Sequence, residues 1–179
     1  MFFLLIVHIE NSLILFEFEL LYQLLLLQQL KLKLHLDKKV LDIFSYAGGF
    51  SVHALTSGAK SVTSLDISSQ ALLIAKQNAS LNSFIGKHIT IADDAFVAMN
   101  KLIAKKEVYD VVVIDPPSFA KSKSEISLAK KKYKQLAEIG AKLTAKNGYL
   151  ILFSFSLALK MLGINIVASQ CNDSNTHYH

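Results

Sequence analysis

Four aspartates and a glycine pair stand at matching points along this 179-residue chain. Asp42 lies in the apolar run 40–44, and Gly48-Gly49 follows it. Asp66 ends a second run that begins at Ser61. Asp94 follows a third run, 89–92, and Asp115-Pro116-Pro117 ends a fourth, 108–114. Each polar element sits just past a stretch that reads as a buried strand. In open α/β sheets, ligands bind outside the carboxyl ends of the strands. A carboxylate at Asp66 can accept both hydroxyls of a ribose; the competing role is capping a helix that begins near Ser68. Asp94 can accept from an adenine amino group or cap a helix beginning at Ala95, and both roles can coexist; Asp93 beside it competes for the assignment. The loop from Asp42 through Phe44, Ser45, Tyr46 and Ala47 to Gly48-Gly49 has the small residues that let backbone approach a ligand. It is neither Gly-x-Gly-x-x-Gly nor a P-loop, so a cofactor without phosphates suits it better than a dinucleotide or a nucleoside triphosphate.

Asp115-Pro116-Pro117-Ser118-Phe119 is the most specific segment. Prolines after a central strand end it and fix a rigid turn. The Asp115 carboxylate and the Pro116 carbonyl can then accept from an exocyclic amine, and Phe119 can stack on a base. A structural turn with a core phenylalanine explains the prolines but not the acid.

The elements that must hold these residues alternate. Strands are expected at 40–44, 61–65, 89–92, 108–114 and 149–155, with helices between them at 50–57, from 68 or 69 to about 82, and at 95–105. A long helix capped by Ser124 carries Ile126, Ala129, Tyr133, Leu136, Gly140 and Leu143 on one side. Gly58 suits a left-handed position just after the first helix, and Asn147-Gly148 a turn into the fifth strand. The unbroken apolar run Val111 to Ile114 suits a central strand covered on both faces. Strand–helix alternation of this kind gives an α/β fold, a doubly wound and mostly parallel sheet. Only Leu157 to His179 follow the fifth strand. Residues 157–179 are therefore expected to be a short helix and tail, with C-terminal strands missing and strand five an exposed edge.

Composition narrows the partners. The formal charge is +5, with all 19 basic residues lysine, a balance that favours a polyanion. The absence of arginine weakens sequence-specific nucleic-acid contacts. One cysteine, Cys171, excludes an intramolecular disulfide and fits a reducing, cytoplasmic setting. Residues 1–36 form a separate apolar segment, with alternating stretches at 16–20 and 31–36. It lacks the basic flank of a signal peptide, and Glu10, Glu17 and Glu19 interrupt any membrane span. Cys171, His177 and His179 lie in a polar tail and are not read as a metal site. Lys121, Lys123, Lys130, Lys131, Lys132 and Lys134 flank the Asp-Pro-Pro loop, either as a track for an RNA backbone or as a solvated helix face.

Val40-Leu41-Asp42-Ile43-Phe44-Ser45-Tyr46-Ala47-Gly48-Gly49-Phe50-Ser51 resembles the first motif of the ribosomal RNA large-subunit methyltransferase I family. Asp110 to Ser122 resembles that family's Asp-Pro-Pro-x-Phe segment, and Ala75-Lys76-Gln77-Asn78, Leu81-Asn82, Tyr133-Lys134 and Asn147-Gly148 also fall in place. The resemblance covers residues 40–156. It implies a Rossmann-like class I methyltransferase core at 37–156, S-adenosyl-L-methionine as cofactor and ribosomal RNA as partner, with cytosine C5 as the acceptor atom. On that basis the cofactor-binding residues are Asp42, Phe44, Ser45, Tyr46, Gly48, Gly49, Asp66, Ile67, Asp94, Ala95 and Asp115. Asp115, Pro116 and Phe119 form the catalytic set. The chain departs from the family where a Ser-Cys-Ser should supply the nucleophile: it has Ser154-Phe155-Ser156. Methylation of an exocyclic amine, which needs no thiol, is the first alternative. A folded homologue without activity is the second.

Overall fold

The structure, a computed structural model, describes residues 37–120, 122–153 and 166–170. Residues 1–36, with their expected strands, lie outside the described residues, as do Lys121, Ser154-Phe155-Ser156, Cys171, His177 and His179. The chain divides into two units, Met1–Lys33 and Leu34–His179, and every described residue belongs to the second.

Six strands form one sheet: β1 (Lys39–Ile43), β2 (Ser61–Asp66), β3 (Lys87–Ala92), β4 (Tyr109–Ile114), β5 (Thr144–Phe153) and β6 (Ile166–Gln170), in the order β3-β2-β1-β4-β5-β6. β1 to β5 pair in parallel. The strand order reverses at the β1–β4 boundary, the place where an α/β sheet opens a crevice for ligand. Helices α1 (Gly49–Thr56), α2 (Ser69–Ser80), α3 (Ala95–Ala104) and α4 (Ile126–Leu143) make the crossovers.

Side-chain alternation assigns the two faces. Leu41, Ile43, Leu65, Val112, Ile114, Leu150 and Leu152 build the main core with Met99 and Leu102 of α3 and Leu136 and Leu143 of α4. The other face is covered by α1 and α2, whose Ala54, Leu55, Ala71, Leu72, Ala75 and Ala79 are buried. On α4 the expected stripe is buried at Ala129, Tyr133, Leu136, Gly140 and Leu143, joined by Ile139, while Ile126 is only partly covered.

Element ends follow local chemistry. α1 ends in a Schellman arrangement: the Gly58 N–H donates to Leu55 and the Ala59 N–H to Ala54, with Gly58 at φ 89. Ser68 caps α2, its Oγ accepting from Ala71, and Asp94 caps α3, its Oδ1 accepting from Val97. Ser124 does not cap α4. A 3-10 turn, Lys123–Glu125, precedes the helix, and one half of a capping box, the glutamate side, forms one turn earlier. There the Ser122 N–H donates to the Glu125 carboxylate, and the Glu125 N–H donates to the Ser122 carbonyl.

Two expectations are corrected at β5. Asn147-Gly148 does not precede the strand but sits within it, where the pairing with β4 jumps from Tyr109↔Thr144 to Val111↔Tyr149 and Asn147 takes φ 61. The extra residues are accommodated as a bulge. Nor is β5 an edge. β6 pairs with it antiparallel, from Tyr149↔Gln170 to Phe153↔Ile166, so the segment after strand five is not only a helix and tail. The Ile-Val-Ala stretch at 166–168 meets the unpaired β5 backbone, which would otherwise expose a row of donors and acceptors.

Candidate functional site

The carboxyl ends of β1, β2, β3 and β4 align. Ile43 is level with Leu65 and Ile114, and Asp66 with Ala92. The ladder continues one step beyond the strands: Ser45 N–H donates to Leu65, Asp115 N–H to Ile43, and Asp93 N–H to Asp66. Backbone pairing thereby pins the start of each loop that carries a candidate residue.

The β1–α1 loop is wound tightly. Phe44, Tyr46 and Gly48 all take positive φ (62, 46 and 80). For Phe44 and Tyr46 this is a costly backbone state, and such strain gathers at ligand sites. At Gly48 a side chain is excluded twice over. The backbone is left-handed, and a Cβ would come 2.7 Å from the Cβ of Ala75, so α2 packs directly against the turn. Gly49, the first residue of α1, has nothing within 4 Å of where a Cβ would stand and opens towards solvent. Asn78 of α2 holds the loop from behind, its amide donating to the Ala47 carbonyl.

Asp66 bridges two of these loops. Its Oδ2 accepts from the Tyr46 N–H and its Oδ1 from the Ser68 N–H, both at 2.9 Å. The cap of α2 is the Ser68 hydroxyl, so the Asp66 carboxylate is not consumed by capping. A carboxylate offers about four lone-pair directions, and two are used. The remaining pair, in an orientation fixed by two amides, suits a vicinal diol. Tyr46 and Ile67, on either side of it, are 71% and 74% exposed. Apolar surface left open beside a diol acceptor is what the flat face of a base would cover.

Asp42 is fully buried. Its Oδ2 accepts a 2.6 Å hydrogen bond from Ser51 Oγ, and its Oδ1 finds no hydrogen-bond partner among the described residues; nor does the buried Ser45 Oγ. Burial pushes the Asp42 carboxyl from its ordinary 3.8 up to about 7. The Ser51 hydrogen bonds pull it partly back, and the charges of Asp115 and Asp66 push it further up. Asp42 therefore senses the charges of Asp115 and Asp66, which give the crevice a negative field.

Asp94 caps α3 and sits at the exposed end of β3 with Ala95 buried behind it. Asp93 is engaged otherwise: Lys101 Nζ lies 2.7 Å from its Oδ2, and its Oδ1 accepts from the Asp94 N–H. That clasp holds Asp93 below the usual carboxylate range. Among the prolines, Pro116 is buried and Pro117 exposed. Phe119 is half-buried and turned towards α4. Its ring meets Tyr133 edge-on at 5.0 Å between centroids, and Lys132 Nζ lies 5.1 Å from its centroid. Sequence reasoning missed Ser51, Ser64 and His88, which extend the Asp42 hydrogen bond across the sheet. The signal was the polar pair Thr63-Ser64 in the middle of β2, and a serine, Ser51, at the third position of α1. Among the described residues no cluster of His, Cys, Asp and Glu could hold a metal ion.

These residues fit S-adenosylmethionine. The diol acceptor, the open glycine, the orphaned buried Oδ1 of Asp42 and the net negative crevice match a nucleoside that carries a cationic sulfur and no phosphate. Comparison with known proteins agrees. A family model described as S-adenosylmethionine-dependent methyltransferase matches residues 20–156. Two relatives, both named ribosomal RNA large subunit methyltransferase I, come from Cronobacter sakazakii and Klebsiella pneumoniae. The first is 40% identical over 77% of this chain and 35% of its own length, the second 41% identical over 67% and 30%. The chain thus spans about a third of these relatives. Among solved structures, the SAM-dependent methyltransferase from Agrobacterium tumefaciens superimposes with a TM-score of 0.59 at 25% identity, over 75% of this chain and 45% of its own. The protein SMU.776, solved complexed with SAH, gives 0.59 at 28%, over 72% and 35%. With the pinned loops, the held carboxylate and a family match over residues 20–156, the chain belongs to the S-adenosylmethionine-dependent methyltransferases.

Proposed function

We propose that the chain is the cofactor-binding core of an RNA methyltransferase directed at ribosomal RNA. The observation that carries this is Asp66, held by amides from two loops at the sheet's open edge and flanked by Tyr46 and Ile67. S-adenosylmethionine supplies a methyl group on an electrophilic sulfonium. Asp66 accepts the ribose hydroxyls, and Asp94 with Ala95 borders the adenine. Asp42 and Asp115 contribute negative charge that favours the sulfonium over the neutral thioether product, which assists turnover. The buried Pro116 fixes the chain after β4, so that its carbonyl and the Asp115 carboxylate orient the acceptor base. RNA as the partner is supported by the names of the relatives and by the exposed lysines 130–132 and 134 on α4.

Position 155 argues against cytosine C5 as the acceptor atom. Cytosine C5 becomes nucleophilic only after a thiolate adds at C6. Phe155 stands where the resembling family carries that cysteine. A second reading, transfer to an exocyclic amine, needs only the acceptors of Asp115 and Pro116. Incubation with methyl-labelled S-adenosylmethionine and ribosomal RNA, followed by mapping of the labelled atom, tests both. Labelled 5-methylcytosine counts against the assignment of Phe155, a labelled amine supports the second reading, and no label leaves a cofactor-binding homologue without transfer.

A further inference from the structure

A single file of hydrogen bonds crosses the α1 side of the sheet. Ser51 Oγ is 2.6 Å from Asp42 Oδ2 and 2.6 Å from Ser64 Oγ, and Ser64 Oγ is 2.7 Å from His88 Nε2. Asp42, Ser51 and Ser64 are fully buried, whereas His88, on the edge strand β3, is half-buried. Each hydroxyl has one proton to give. The ionised Asp42 can only accept, so Ser51 donates to it. Ser51 then has only lone pairs left for Ser64, which donates in turn. Ser64 is left to accept, and His88 must meet it as an Nε2–H donor. The polarity of the whole file is set by the charge at one end and the imidazole tautomer at the other.

We propose that His88 is a positioning residue for the cofactor crevice: through Ser64 and Ser51 its Nε2–H supports the Asp42 carboxylate and so maintains the negative charge that a sulfonium meets. The inference rests on the S-adenosylmethionine reading above and gives that site a component on the far side of β2. Asp115, after β4, and Asp66, at the end of β2, face Asp42 and oppose its ionisation, as burial does more strongly. The file is the element that works in the other direction. Lys76 of α2 faces His88. Burial, and then the Lys76 charge, hold the imidazole below its ordinary 6.5, so it is neutral at pH 7 and free to adopt the Nε2–H tautomer.

The test is a carbon-13 NMR titration of the Asp42 carboxyl in the full chain, unaltered and as His88→Ala, His88→Gln and Ser64→Ala. Loss of the terminal donor should raise the Asp42 midpoint by about half to one pH unit, the size of one net hydrogen bond. Ser64→Ala, which cuts the file with His88 intact, should raise it as well. His88→Gln, whose amide N–H can replace the donor, should restore it. At pH 7 the affinity of His88→Ala for S-adenosylmethionine should fall ~2–5-fold, following the ionised fraction. Its affinity for adenosine, which has no sulfonium, should stay unchanged and so reports that the variant is folded. An unmoved midpoint in His88→Ala overturns the inference and leaves the cofactor reading intact. An equal rise in His88→Gln also overturns it, because packing rather than the donor would then be responsible. If the unaltered chain binds neither ligand, the cofactor reading falls and the proposed role of His88 falls with it.

Discussion

Asp42 places a titrating group near neutrality inside the sheet. Its folded-state midpoint of about 7 lies above the ordinary 3.8, so between these values the folded protein holds a proton that the unfolded chain has lost. Stability from this group is therefore fully present below pH 3.8 and is lost as pH rises towards 7. The difference is of order 4 kcal/mol at 1.36 kcal/mol per unit. Asp42→Asn should flatten this part of the pH dependence, as urea unfolding between pH 4 and 8 would show; an unchanged slope would place the titration elsewhere. Asp66 acts on the ligand instead. Asp66→Ala should weaken S-adenosylmethionine binding by about 1.5–3 kcal/mol, as expected when a charge-assisted pair of hydrogen bonds is removed. Calorimetric titration measures this directly, and equal affinities would remove Asp66 from the site.

The turn between β1 and α1 contains two adjacent glycines with opposite jobs. At Gly48 an alanine meets Ala75 of α2 at 2.7 Å from a backbone at φ 80. Gly48→Ala should cost about 1–3 kcal/mol of stability and weaken cofactor binding, because α1 and the loop move together. At Gly49 an alanine meets nothing within 4 Å and sits at a helical position. Gly49→Ala should stabilise the fold by about 0.4–1 kcal/mol through the unfolded chain, yet reduce S-adenosylmethionine affinity by filling the open approach. Thermal unfolding together with a binding titration separates the two. A parallel loss of stability in both variants would show that the turn, not the ligand approach, needs both glycines.

Across the whole molecule, charge and core are divided along α4. One side is buried from Ala129 to Leu143, and the other carries Lys130, Lys131, Lys132 and Lys134 into solvent. Lys134 also lies 3.9 Å from Glu138, an exposed pair of small worth that RNA phosphates can displace. If about three lysines contact phosphates, log affinity for single-stranded RNA should fall with log salt at a slope near −2. Lys130→Gln with Lys134→Gln should flatten that slope equally for all sequences, since phosphate contacts position without specifying. Filter binding across a salt series measures it, and a solvated face with no RNA role predicts an unchanged slope. Phe155→Cys is the minimal change expected to introduce 5-methylcytosine formation, read by mapping the product methyl on ribosomal RNA. Product identical to the unaltered chain would mean that the thiol alone is insufficient.

The alternation of the first five strands with their helices and the loops that carry Asp42, Asp66, Asp94 and Asp115 were legible from the sequence, because they rest on local periodicity and on glycine and proline punctuation. The Asp66 and Asp94 ambiguities needed tertiary structure. Only the folded loops show Ser68 capping α2 while Asp66 takes the amides of Tyr46 and Ser68, and Asp93 diverted to Lys101 while Asp94 caps α3. The bulge at Asn147-Gly148 looks like a turn in sequence, since the same residues serve wherever φ is positive; the pairing with β4 distinguishes the two. β6 was hidden for a related reason. A short strand has little pattern of its own, and what stabilises it is the row of backbone donors and acceptors that β5 presents from elsewhere in the chain. The file from Asp42 to His88 joins residues on three strands and a helix, separated by 9, 13 and 24 positions, and only the parallel register brings them within hydrogen-bond distance.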